Sequence, residues 1–574
     1  MARPEKIRLG EILLQQKLLT SEQLKSALDE QKTSGRRFGR VLIDKGFVTE
    51  EQISEALARQ LNIPYINLKF YNVSREVMLK LPESAARRFR ALVLEDAGAT
   101  YKVGMADPTD ITAYDEIVRI LRRDIDIVVV MGSELMHTID RIYRHTEEIS
   151  GLAQELGVEL GDAIDFAALG ITAGAEDAPV VKLLQSVFED AVQVRASDIH
   201  IEPQEKKLLI RFRIDGVLHI QAESEPKIAP ALVLRLKLMS GLDISEKRLP
   251  QDGRFNVRVR NAQIDVRIST MPTQHGESAV MRLLNQSGGL LGLERIGMPE
   301  PMLEKLRQII HRPSGMVLVT GPTGSGKTTT LYAALDELNT PERKIITVED
   351  PVEYRLSGIN QVQIHEKIEL TFARVLRTAL RQDPDVILVG EMRDQATVET
   401  GLRAAMTGHL VLTTLHTNDA VSTPIRLLDM GAPRYMVAMS LQVVVAQRLV
   451  RIICESCAEP YSLLASEHEW MRNYTGIATD GYTYLKGRGC SQCNGTGYLG
   501  RTGVYEMLEM TRPVVEAANQ PEPARFVEAA RAQMEGRMLK DHAVQLVISG
   551  RTTVDEAMRV SALLEEGLDL LPPS

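Results

Sequence analysis

An apolar run at residues 316–320 enters Gly321-Pro322-Thr323-Gly324-Ser325-Gly326-Lys327-Thr328, and Thr329 leads into a helix-patterned segment. No other stretch restricts the possible folds so tightly. The spacing Gly-x-x-x-x-Gly-Lys-Thr between a strand and a helix predicts a loop whose glycines let consecutive backbone N–H groups face phosphates. Lys327 supplies a point charge there, the helix start favours anions, and the Thr328 hydroxyl suits Mg²⁺. The competing reading is a glycine turn with a chance lysine. A second buried run, residues 386–389, delivers Glu391 beyond its C-terminal end, where ligands bind in open α/β sheets. An acid there orients or deprotonates an attacking water, or else caps the next helix. Strand and helix signals alternate to about residue 445, the pattern of an α/β domain with a mainly parallel sheet.

The whole chain is longer than that domain. Its 574 residues suggest about four domains. A formal charge of -9 argues against a protein that relies on neutralising nucleic-acid phosphates, so any basic site is local. No apolar stretch approaches the 18 or more residues of a membrane span, and the first residues lack the apolar core of a signal peptide. A soluble, cytosolic protein is expected. The four cysteines, Cys454, Cys457, Cys490 and Cys493, form two C-x-x-C pairs. Four thiolates make a closed tetrahedral set for structural Zn²⁺; disulfides or a redox pair are the alternatives.

The first 61 residues hold an internal repeat. Residues 8–31 and 37–60 align at an offset of 29 with nine of 24 positions identical, among them Arg8/Arg37, Gly10/Gly39, Leu13/Leu42, Leu28/Leu57 and Gln31/Gln60. Such matching implies the same local fold twice: a short helix, a turn, and a longer helix opened by a capping box at Thr20/Gln23 and Thr49/Gln52. Lys17 occupies the turn position held by Gly46 in the second copy, and Phe38 the position held by Leu9 in the first.

The expected organisation is an α/β multidomain protein. Residues 1–148 carry the helical repeat and a small α/β domain, and a linker spans 149–177. An arginine-bearing α/β domain spans 178–286, with a second linker at 287–312. The P-loop core spans 313–450, the tetracysteine module 451–510 and a helical region 511–574.

Further segments make the chain recognisable. Residues 347–353 (TVEDPVE) resemble the aspartate box, and residues 407–409 with 415–419 (LHTND) the histidine box, of the secretion-superfamily ATPases that power type II secretion and type IV pilus assembly. Residues 211–216 (RFRIDG) and 249–254 (LPQDGR) are similar to the arginine-bearing segments of the domain preceding those motors. The resemblance covers about residues 178–510. It implies a PAS-like domain followed by a RecA-like ATPase that binds ATP with Mg²⁺. Glu349 and Glu353 would organise metal and water, Glu391 would be the acid/base, and His416 would sense the γ-phosphate. Arg211, Arg213, Arg254 and Arg267 are candidates to reach the phosphates, where an arginine stabilises spreading charge; a surface salt bridge is the alternative for each. The cysteine module is similar to that of the assembly and secretion motors.

The repeat in turn resembles the N-terminal domain of mannose-sensitive haemagglutinin pilus ATPases and related motors, a receptor for cyclic di-GMP whose paired motifs each hold half of the dinucleotide. By that resemblance Arg8 and Arg37 would bind phosphate or the guanine edge, and Gly10 and Gly39 would allow close approach. Leu9, Leu13, Leu28, Phe38, Leu42 and Leu57 would cover the bases, Gln31 and Gln60 would offer amides, and Asp107 would be a further guanine-edge contact. The implied assembly is a homohexamer on an inner-membrane platform protein, with no nucleic acid expected. The alternatives are a docking module in place of the ligand site, or a nucleic-acid translocase.

Overall fold

The computed structural model describes residues 9–34, 38–71, 75–143, 146–160, 179–259, 262–285, 291–475 and 481–565. Each copy of the repeat is a short helix, a turn and a longer helix: Leu9–Gln15 with Ser21–Ser34, then Phe38–Asp44 with Glu50–Leu61. Both capping boxes form. The Thr20 and Thr49 hydroxyls each accept from the backbone N–H three residues on at 3.2 Å, and Gln23 and Gln52 reach back at 2.9 Å. Ile12, Leu13, Leu19 and Ala27 pack with Val41, Leu42, Val48 and Ala56 into one core, so the two copies bury each other's apolar stripes.

Equivalent turns take equivalent backbone conformations. Gly46 has φ +67°, and exposed Lys17 is forced to φ +59°. A left-handed conformation costs an L-residue roughly 1–2 kcal/mol, partly offset in a glycine by its larger unfolded-state entropy. Lys17→Gly is therefore expected to stabilise the first repeat by about 1 kcal/mol. Slower hydrogen exchange of the amides of Ser21–Ser34 checks this; unchanged or faster exchange would contradict it.

The second repeat continues into a small α/β unit. Strands β1 (Ala91–Asp96), β2 (Tyr101–Met105) and β3 (Ile125–Val129) form a sheet in the order 1-2-3, antiparallel and then parallel. The chain leaving the repeat adds to its edge, with Ile66 N–H donating to Val129 and Val129 N–H to Pro64, both at 2.9 Å.

Next comes a six-stranded antiparallel sheet of β4 (Asp198–Pro203), β5 (Leu208–Ile214), β6 (Val217–Ser224), β7 (Gln251–Val259), β8 (Ala262–Thr273) and β9 (Gly276–Asn285), ordered 6-5-4-9-8-7. The helices Pro179–Gln193 and Ala229–Ser240 share its core. So does the helix Thr146–Leu160, which differs from the linker expected over 149–177. The Gly- and Ala-rich composition suggested a tether. Yet Ile149, Ala153 and Leu156, spaced four and three apart, form an apolar stripe that is fully buried here. The rest of that expected linker, from residue 161, lies outside the described residues.

The core that holds the glycine-rich loop contains β10 (Gly315–Thr320), β11 (Ile345–Glu349), β12 (Asn360–Gln363), β13 (Val386–Val389), β14 (Leu410–Leu415) and β15 (Leu441–Ile453). Strands β16 (Ala458–Pro460) and β17 (Leu485–Gly487) pair separately beside the cysteines, and β18 (Tyr498–Glu509) returns to the main sheet, ordered 12-11-13-14-10-15-18. All neighbours are parallel except β15 and β18. Strands β10, β11, β13 and β14 are buried along their whole length, as a parallel sheet covered on both faces requires.

Two further expectations shift. The segment 287–312, read as a linker, contains the helix Glu300–Ile310, whose Met302, Leu303, Leu306, Ile309 and Ile310 are buried in the core beside β10; residues 286–290 lie outside the described residues. The cysteine module, bounded at 451–510 from sequence, is the tip of a long antiparallel pair. Residues 498–509 are its return strand and an edge of the main sheet. The C-terminal helices carry Val514, Phe526, Val544, Val547 and Val560 into the second core of the main sheet, with Met316 and Leu318 of β10.

Candidate functional site

The loop after β10 turns through Gly321 (φ +144°) and Gly326 (φ +89°). A Cβ on Gly321 would lie 2.4 Å from the Gln447 carbonyl oxygen, and one on Gly326 would lie 2.8 Å from Gln447 Nε2. Only glycine fits either place. Gln447, on neighbouring β15, also braces the loop by donating to the Ser325 carbonyl at 2.7 Å and accepting from Thr330 at 2.8 Å. Lys327 opens the helix Lys327–Leu338 and donates to the carbonyls of Gly321 at 2.7 Å and Pro322 at 3.1 Å. Burial pushes its ammonium down to about 8, against the pull of Glu391. Thr328 and Thr329 are exposed on the first turn, as are Pro322, Thr323 and Gly324 on the loop.

Three acids converge beside this loop. Glu391, just past β13, sits 3.2 Å from His416 Nε2, and Arg393 Nε donates to its other oxygen at 2.7 Å. Arg393 also reaches Asp350 at 3.2 Å. His416 Nδ1 faces Lys327 Nζ at 3.5 Å. One tautomer satisfies both ends, with the Nε2–H given to the carboxylate and Nδ1 left to accept. Glu349 ends β11 and is buried, holding hydrogen bonds from Thr347 at 2.5 Å, from Gln361 at 3.3 Å and from Tyr332. The geometry provides a cation over the phosphate loop and a carboxylate backed by a histidine and an arginine. That set suits phosphoryl transfer to water. Arg393 was not singled out from sequence, because a position two residues past an acid does not reveal that its side chain folds back.

Of the four arginines expected from the preceding domain, one meets the core in this conformation. Arg267, on β8, donates to the Val352 carbonyl and pairs with Glu353, both at 3.1 Å. Arg211 instead pairs with Glu202 on its own sheet, and Arg213 lies 3.7 Å from Asp198 and donates to the Gly216 carbonyl at 3.0 Å. Arg254 pairs in register with Arg267 and is exposed. The charges of Arg211 and Arg213 are met locally by β4 acids that the arginine pattern alone does not show.

The four cysteines come together. Their sulfurs lie within 4.8 Å of one another, with Cys454–Cys490, Cys457–Cys493 and Cys490–Cys493 each at 3.8 Å. Zinc–sulfur bonds of about 2.3 Å in a tetrahedron place sulfurs about 3.8 Å apart. The set fits that ion and is too open for disulfides, whose sulfurs lie about 2 Å apart. The backbone N–H groups of Cys490 and Gly497 both point at Cys493 Sγ at 3.2 Å. With the Cys454 thiol, which contributes most, they hold the Cys493 thiol well below its ordinary range.

In the repeat, Arg8 and Arg37 lie outside the described residues. Leu13 and Leu42 are fully buried in the core between the copies, so in this conformation they are packing residues, not base-covering ones. Gly10 and Gly39 also serve packing: a Cβ would meet Leu24 at 2.7 Å or Ile53 at 3.3 Å. Leu28 is exposed, and Leu9, Gln31, Phe38, Leu57 and Gln60 are half-buried. Asp107 accepts the Thr109 N–H at 3.1 Å, bracing the turn before the helix Ile111–Leu121.

Comparison with known proteins completes the picture. A family model described as "Type II/IV secretion system protein" matches residues 173–559, and one described as "MshEN domain" matches residues 61–149. The type IV pilus assembly ATPase PilB of Myxococcus xanthus is 40% identical over 561 residues, covering 96% of this chain and 98% of that protein. The type II secretion system protein E of Dickeya dadantii is 43% identical over 492 residues, covering 84% and 97%. The solved ATPase DotB of Legionella pneumophila superposes with a TM-score of 0.50 at 21% identity, over 66% of this chain and 95% of that one, a likeness of fold.

Proposed function

This chain belongs to the type II/IV secretion system protein family and is an ATP hydrolase, and from that premise we propose that it is a cytoplasmic motor for assembling a type IV-like pilus or type II pseudopilus, controlled by cyclic di-GMP. The observation that carries the motor reading is the Lys327–His416–Glu391–Arg393 constellation at the end of a parallel sheet. Lys327 and the loop N–H groups bind the phosphates. Glu391 takes the proton of the attacking water, while His416 links that carboxylate to the phosphate loop. Mg²⁺, which neutralises phosphate charge when bound, would be held by Thr328 with Glu349 and Glu353 nearby. Arg267 would leave Glu353 for the phosphates when the domains close. Zn²⁺ would sit in the tetracysteine cluster as a structural ion. A homohexamer docked on an inner-membrane platform protein is the proposed assembly. No helix among the described residues is long and apolar enough to cross a membrane, so recruitment would run through that partner.

Cyclic di-GMP is assigned to the repeat because a ligand with near-twofold symmetry can meet a duplicated motif alike in each half. Arg8→Ala and Arg37→Ala should each weaken it at least about tenfold, since a charge-assisted contact contributes about 1.5–3 kcal/mol. Linear GMP should bind far more weakly. Calorimetry on the full-length protein, beside ATP turnover on the same preparation, tests both parts. The buried Leu13 and Leu42 favour a second reading, a helical docking module. Turnover with no heat or displacement by the dinucleotide would select it.

A further inference from the structure

His416 is carried by the loop between β14 and the helix Ser422–Asp429, and three residues after it are tied down one by one. Thr417 N–H donates to Thr320 Oγ1, at the end of the strand entering the phosphate loop, at 2.9 Å. The Asn418 carbonyl accepts from Arg448 Nη2 at 2.8 Å. Ala420 N–H donates to Glu506 Oε1 at 2.6 Å. Glu506 Oε2 accepts from Leu539 N–H at 3.0 Å, the first residue of the helix Leu539–Ile548.

Arg448 and Glu506 are each 3% exposed. They lie on the last antiparallel pair of the sheet, where Glu506 is directly opposite Ala446 and Arg448 is two residues along from it. Alternation puts both side chains on one face, as diagonal neighbours. Burying either charge alone would be costly, and neither reaches solvent. Each nonetheless spends a hydrogen bond on the backbone of the His416 loop: Glu506 divides its two oxygens between the Ala420 and Leu539 N–H groups, with burial pushing its carboxyl up to about 7, while Arg448 gives Nη2 to Asn418 and Nη1 to the Gln447 carbonyl. The Asp419 carboxylate adds to the field around both.

We infer that Glu506 and Arg448 are positioning residues for ATP hydrolysis, holding the His416 loop in register with the phosphate loop and fastening it to the C-terminal helix Leu539–Ile548. The inference rests on the proposed roles of His416 and Glu391. His416 reaches Glu391 at 3.2 Å and Lys327 at 3.5 Å, so a small slip of its loop breaks both contacts. Displacement of about 1 Å in such a site can lower turnover by about a hundredfold.

The experiment measures kcat and KM for ATP on the full-length protein carrying Glu506→Gln, Arg448→Met, Arg448→Lys, His416→Ala, and Glu506→Gln with His416→Ala. Glu506→Gln keeps the shape and loses one of the two acceptors. It should lower kcat at least about tenfold with KM within about twofold, and add little to the loss in His416→Ala, because both act through one group. Arg448→Lys, which retains a donor for Asn418, should recover part of the kcat lost in Arg448→Met. Wild-type kcat in folded Glu506→Gln beside an inactive His416→Ala would overturn this inference and leave the site assignment standing. Strictly additive losses would also overturn it. Wild-type turnover in His416→Ala would overturn the site assignment itself. If Glu506→Gln does not fold, equal turnover in the two Arg448 variants would be decisive against it.

Discussion

Replacing Glu391 with glutamine should leave ATP binding within a few-fold of normal and cut hydrolysis by about 10²–10⁴, the contribution of a well-placed general base. The amide keeps the shape and can still accept from Arg393, but it cannot take a proton from water. Lys327→Ala should act at the opposite step. It removes the cation that already contacts the Gly321 and Pro322 carbonyls, and ATP affinity should fall by about 10–100-fold for the loss of a charge-assisted contact. Equilibrium binding of a slowly hydrolysed analogue and steady-state phosphate release, measured on both variants, separate the two roles. Tight binding in Lys327→Ala, or normal turnover in Glu391→Gln, would remove these residues from the mechanism.

The second large effect concerns the cysteines. Purified protein should contain one zinc per chain, and serine at any one of Cys454, Cys457, Cys490 or Cys493 should abolish it. Structural zinc contributes an apparent folding free energy of about 10–16 kcal/mol in small zinc-dependent modules. The knuckles around the cysteines have little else to hold them, because the sulfurs form their own small cluster, whereas Leu463, Trp470, Met471 and Tyr484 of the intervening segment are anchored in the main core. Limited proteolysis should therefore cut beside the cysteines, within residues 454–460 or 485–497, in each variant while the rest of the sheet stays resistant. A folded, protease-resistant tip with no metal would refute the assignment.

The phosphate loop and the cysteine set were more legible in the sequence than the linkers and the repeat. The phosphate loop, the two C-x-x-C pairs and both capping boxes are contiguous patterns. Their chemistry depends on spacing along a strand, a turn or one helical turn, and the structure places each as read. The two expected linkers fared differently. Glycine and alanine between 149 and 177 looked like a tether, while the buried stripe Ile149, Ala153 and Leu156 needed a partner surface before its meaning was plain. In the repeat, Leu13 and Leu42 look equally suited to a base or a core. Only the packing of one copy on the other shows that they are core.

The sequence alone determined the glycine-rich loop, the order of strand and helix around it, the duplicated helical unit and the grouping of the four cysteines. Each follows from local rules of backbone conformation, helix capping and ligand spacing. Tertiary structure decided which charges meet. It turned Arg211 and Arg213 toward Glu202 and Asp198 while sending Arg267 to Glu353. It folded Arg393 back onto Glu391, and brought Glu506 and Arg448 under a loop about 90 and 30 residues away in the chain. The physical reason is burial. A charge removed from water needs a partner at a few ångströms, and strand order and register choose that partner whatever its distance along the chain.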